Sequence, residues 1–69
     1  MKHGRIIRVS ERCTYTTYIV AEEDAAKAEA LMRTVVGPWP VVQSIGRASL
    51  KLLEAAGLSA GEYKKTENY

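Results

Sequence analysis

The chain predicts a small α+β domain, on three observations. Residues 4–20, GRIIRVSERCTYTTYIV, are dense in Ile, Val, Thr and Tyr, which suit a pleated, half-buried surface. Residues 21–37, AEEDAAKAEALMRTVVG, carry apolar side chains at spacings of three and four, the period of a helix with one buried face. Beyond Pro38-Trp39-Pro40 a second, shorter helical stripe must pack nearby.

The N-terminal stretch reads as a β-hairpin. The polar group Ser10-Glu11-Arg12 interrupts the apolar pattern where a turn belongs, so strands are expected at about 4–9 and 13–20. No Asn-Gly or Asp-Gly marks a two-residue turn, and a loop of three to five residues is expected. The odd positions Ile7, Val9, Cys13, Tyr15, Thr17 and Ile19 are the more apolar set and are assigned to the helix-covered face. A slip of one residue would exchange the faces. Two strands alone are marginal, so the hairpin needs the helix and leaves outer edges open to a third strand or a second copy.

The helix is expected over 22–36. Glu22, Glu23 and Asp24 fall in its first turn, where the helix dipole favours acids. Ala25, Ala28, Leu31, Met32 and Val35 share its inner face, and Gly37 and Pro38 end it. Residues 41–45 read either as a short third strand or as the start of the next helix, and the clustered β-branched residues favour strand. A second helix is expected over about 47–56, closed by Gly57 with Leu58 in a Schellman ending. Ser59-Ala60-Gly61-Glu62 has capping-box spacing, which predicts a short helical turn at about 60–64. The ends, about 1–3 and 66–69, are expected to fray.

Sixty-nine residues make one domain, 1–69. A chain this short buries only about 60% of the surface its unfolded form exposes and needs help to be stable. Cys13 is the only cysteine, which excludes an intrachain disulfide, and with His3 the only histidine a closed zinc site is not expected. No cofactor is expected either. Self-association is the remaining helper, so a homodimer is expected. No apolar run approaches the roughly 18 residues of a membrane span and no signal peptide is recognised; with a lone thiol, a cytoplasmic protein without a membrane partner is expected.

The net charge of +2 is too small to argue for nucleic acid by itself. Its distribution is more informative. Lys2, Arg5, Arg8 and Arg12 crowd the first strand region against Glu11 alone, while the acids gather at the helix start. The candidate partner or nucleic-acid surface is Arg8, Arg12, Tyr18, Trp39, Arg47 and Lys51: arginines contact phosphate, tyrosine stacks on unpaired bases, and tryptophan anchors interfaces. Trp39 has a competing use as a lid folded over the core. Gly46-Arg47-Ala48-Ser49 could approach an anion, though no phosphate-loop motif is present, and Ser49 equally suits a helix cap. A catalytic cysteine would need a base, and only His3 is offered; Cys13 otherwise reads as a small buried hydrophobe. The expectation is a small non-enzymatic interaction or regulatory module that self-associates, with a nucleic-acid-binding module as the alternative.

Overall fold

A computed structural model describes residues 2–66. The chain runs β1 (His3–Glu11), β2 (Thr14–Val20), α1 (Ala25–Val36), β3 (Val41–Ser49), α2 (Leu50–Ala56) and β4 (Tyr63–Thr66). The four strands form one antiparallel sheet in the order β3-β1-β2-β4. This is a small α+β single domain. Both edges of the N-terminal hairpin are therefore filled from within the chain, β3 beside β1 and β4 beside β2.

The hairpin loop is shorter than the sequence suggested. Glu11 pairs with Thr14, leaving Arg12 and Cys13 as a two-residue turn. Arg12 is at φ 55, which is the positive φ that a type II′ turn demands at its first central residue. Paired residue numbers then sum to 25, so each odd position of β1 faces an even position of β2. The expected grouping of odd positions on one face is accordingly right for β1 and wrong for β2. Ile7 and Val9 share the α1 face with Val20 and Tyr18, while Thr17 and Ile19 lie on the opposite face. Cys13 and Tyr15, assigned to the interior by the same parity, are exposed.

The two helices cover opposite faces, because adjacent strand residues point opposite ways. On one face Ala28 and Met32 of α1 pack against Ile7, Val9, Val20 and Val42, with Leu31 and Val36 at the margin. On the other, Leu53 of α2 packs against Ile6, Ile19, Ala21 and Ala48. Val35, placed on the inner face by spacing, is exposed, and Val36 turns inward instead. Helix α1 begins at Ala25, later than expected. Asp24 is extended and caps it, its Oδ1 accepting from the Lys27 N–H at 3.1 Å. Glu22 and Glu23 thus precede the helix; their carboxylates accept from the N–H groups of Asp24 and Lys2.

The third strand runs to Ser49, so α2 is shorter than the expected 47–56. Its cap is Ser49, whose Oγ accepts from the Leu52 N–H at 3.1 Å. A bulge explains the difference. Ile7 pairs with Ser44 but Ile6 with Gly46, so Ile45 is an extra residue. It reverses the parity of β3: Val42 is buried under α1 and Ala48 under α2. Gly57 ends α2 in the left-handed region, with the Leu58 N–H bonded to the Leu53 carbonyl as the Schellman ending requires. The expected helical turn at 60–64 is instead a β-turn leading into β4. Gly61 at φ 83 reverses the chain, and the Glu62 N–H donates to the Ser59 carbonyl. Half of the capping box survives, since Glu62 Oε1 still accepts from the Ser59 N–H at 2.6 Å. Of the ends expected to fray, His3 opens β1 and Thr66 closes β4, while residue 1 and residues 67–69 lie outside the described residues.

Candidate functional site: an aromatic and arginine cluster at one end of the sheet

Helix α2 has seven residues and packs only over the end of its face near Gly4, Ile6 and Ile19. Toward the hairpin turn the same face carries Arg8 and Ser10 from β1, Tyr15 and Thr17 from β2, and Val41 and Gln43 from β3, as the pairing dictates. Ser10 has Tyr15 on one side and Val41 on the other. Tyr15 is 67% exposed, Val41 63% and Trp39 87%. The Arg8 guanidinium carbon lies 5.4 Å from the centre of the Tyr15 ring, a cation–π contact, and Arg8 Nε has no hydrogen-bond partner among the described residues. Beside this pair Ser10, Glu11, Arg12, Trp39 and Val41 line an open hollow of about 540 Å³.

The six residues singled out from the sequence divide into three places. Arg12 and Trp39 line one hollow at the turn end of the sheet, and Arg8 lies beside it, over Tyr15. Trp39 is not a lid over the core: Pro38 and Pro40 hold it on the loop between α1 and β3, where it points to solvent. Arg47 and Lys51 line a separate hollow with Ile6, Ser49, Leu52 and Ala55, at the other end of the molecule. Tyr18 lies on the α1 face, away from Arg8, with its ring edge-to-face on Tyr63 at 6.0 Å. Val41 is the member that the sequence reading missed; Tyr15 reads with the arginines by residue type, but parity assigned it to the interior, on the face opposite Arg8. The two-residue turn was the signal needed, since its parity sets Tyr15 beside Arg8.

Other constellations do not assemble. Gly46 and Arg47 lie within β3 and form no loop ahead of a helix, so the backbone cradle for an anion is absent there. His3 opens β1 and Cys13 lies beyond its far end; the eight steps from His3 to Glu11 alone span about 26 Å at 3.3 Å per strand residue, so His3 does not reach the thiol. Among the described residues no group of three or more His, Cys, Asp or Glu could hold a metal ion, and no helix is long and apolar enough to cross a membrane.

The class that the fold and site define is a small α+β domain with a helix on each face of a four-stranded antiparallel sheet and an exposed aromatic–arginine cluster at one end. No protein-family model matches the chain, and neither a curated protein nor a solved structure matches it.

Proposed function

We propose that this protein is a non-enzymatic binding module whose working surface is Arg8, Tyr15, Trp39, Val41 and Arg12. The observation that carries this reading is the grouping of three large, exposed side chains, Tyr15, Trp39 and Val41, with two arginines at one end of the sheet: Arg12, Trp39 and Val41 line the hollow, and Arg8 lies over Tyr15 beside it. Tryptophan, tyrosine and arginine are the residues that dominate binding energy at interfaces. Exposure of this much apolar surface in one place costs solubility and is retained where something covers it. Self-association, expected from the length of the chain, draws no support from the hairpin edges, which β3 and β4 already occupy.

Site-specific photo-crosslinking tests the reading. A photoreactive aromatic amino acid replaces Val41 in one preparation and Glu54, exposed on α2, in another. In extract of the source cells, adducts are expected from position 41 and not from 54, and Arg8→Ala is expected to reduce them. Equal yield at both positions, or none at 41, rules the surface out. An adduct of twice the chain's mass makes the partner a second copy.

A further inference from the structure

We infer that the ligand of this surface is a short stretch of single-stranded nucleic acid, an inference that rests on the binding-module reading above. Two chemistries meet in the cluster. Arg8 and Arg12 bring positive charge, opposed by Glu11 alone among the residues lining the hollow. Tyr15 and Trp39 bring aromatic rings that are mostly solvent-exposed. Cations with exposed aromatic faces fit a polyanion whose planar bases are unpaired, because every base offers a π-face and every linkage a phosphate. An acidic peptide would satisfy the arginines and leave the rings unmatched.

The strand layout sets the footprint. Tyr15 on β2 and Val41 on β3 stand on either side of Ser10 on β1. Two strand spacings separate them, about 10 Å, and Trp39, ahead of β3 in the hollow with Arg12, adds a second ring at the turn end, giving room for two or three splayed bases. A duplex is a poor fit, since its bases are stacked on each other and offer the two rings no free face. The Arg8 guanidinium already lies over one side of the Tyr15 ring, so a base laid on the other side would leave the phenol between guanidinium and base. Exposed Gln43, across the strand pair from Arg8, adds an amide at the rim.

Trp39 is the only tryptophan, so the surface carries its own reporter. The full chain is titrated with a ten-nucleotide oligo-U, the matching oligo-dT and a ten-base-pair duplex, read by tryptophan quenching and by anisotropy of a labelled strand. The single strands are expected to quench Trp39 and the duplex not to. Two neutralised phosphates predict a single-strand affinity about sevenfold weaker at 200 mM than at 50 mM salt. Tyr15→Ala and Trp39→Ala are each expected to weaken binding at least about fivefold. Arg8→Ala is expected to flatten the salt dependence, and Lys51→Ala, in the other hollow, to change nothing. Thermal melts confirm that each variant is folded.

Absent binding, equal binding to duplex, or a Lys51→Ala effect as large as that of Arg8→Ala overturns the inference. If oligonucleotides fail while position 41 still crosslinks to a protein or a second copy, the nucleic-acid assignment falls and the binding-module reading stands. If both experiments are silent, both fall.

Discussion

The Ser44 N–H donates to Glu29 Oε2 across 3.0 Å, so a carboxylate of helix α1 occupies a backbone donor of the edge strand β3. Edge strands with free N–H groups invite pairing with other chains, and Glu29 blunts this edge beside the bulge at Ile45. The same carboxylate meets Arg33 at 3.4 Å, an exposed i,i+4 pair that contributes little by comparison.

Glu29→Ala therefore removes a charge-assisted bond and is expected to cost about 1–2 kcal/mol. For a domain of this size that lowers Tm by roughly 5–15 °C. Glu29→Gln keeps an acceptor in place and is expected to lose less than half as much. The alanine variant is also expected to self-associate as concentration rises, visible by light scattering. Equal melting of all three proteins would show that the contact carries no stability.

Two glycines give opposite expectations for the same substitution. A Cβ at Gly4 would press on the Val20 carbonyl oxygen and come within 3.0 Å of Leu53 Cδ2, so backbone as well as side chain would have to shift. Gly4→Ala is expected to cost about 1–3 kcal/mol, as overpacking does. A Cβ at Gly46, in the bulge, would meet nothing within 4 Å among the described residues, and the position does not require positive φ. Gly46→Ala is expected to leave stability unchanged or raise it by up to about 1 kcal/mol. Denaturant midpoints for the two variants check both, and the reverse order would contradict the packing of α2 on β1.

Local signals were readable wherever one element decided its own shape. The hairpin, helix α1, the Schellman ending at Gly57 and Leu58, and the cap at Ser49 all follow from residues within a turn or two of each other. Failures came where parity or a distant strand decided. The bulge at Ile45 breaks the period-two pattern of β3, which then resembles a helical stripe through Val42, Ile45 and Ala48. The turn at Arg12 and Cys13 lacks the glycine that advertises a two-residue loop, so the faces of β2 were exchanged. Strand β4 is four residues, three of them exposed, and owes its form to β2 rather than to its own sequence. The candidate site was legible in part for the same reason: Arg8, Arg12 and Trp39 stand out by residue type, while Tyr15 needs the register.

Cys13 gives a direct check of that register. In the expected arrangement it was a buried strand residue; in the structure it is exposed in the hairpin turn. A disulfide reagent is expected to modify the native thiol completely, at a rate close to that in denaturant. Slow modification requiring unfolding would return Cys13 to the interior and shift the register of β2 by one.

Arg12 ties strain to the proposed surface. Its φ of 55 is one that an L-residue adopts at a cost of about 1–2 kcal/mol and glycine adopts freely. Arg12→Gly is expected to recover part of that, less the added flexibility of the unfolded chain, for a gain near 1 kcal/mol and a Tm higher by roughly 4–8 °C. A residue that is locally unfavourable and yet charged suggests that its side chain is kept for binding. The same variant is therefore expected to bind oligo-U more weakly and with a flatter salt dependence while melting higher. Arg12→Lys, which keeps charge and strain together, is expected to retain both the lower Tm and the salt dependence. If Arg12→Gly melts higher and binds unchanged, the strain is no more than a property of the turn and Arg12 leaves the site.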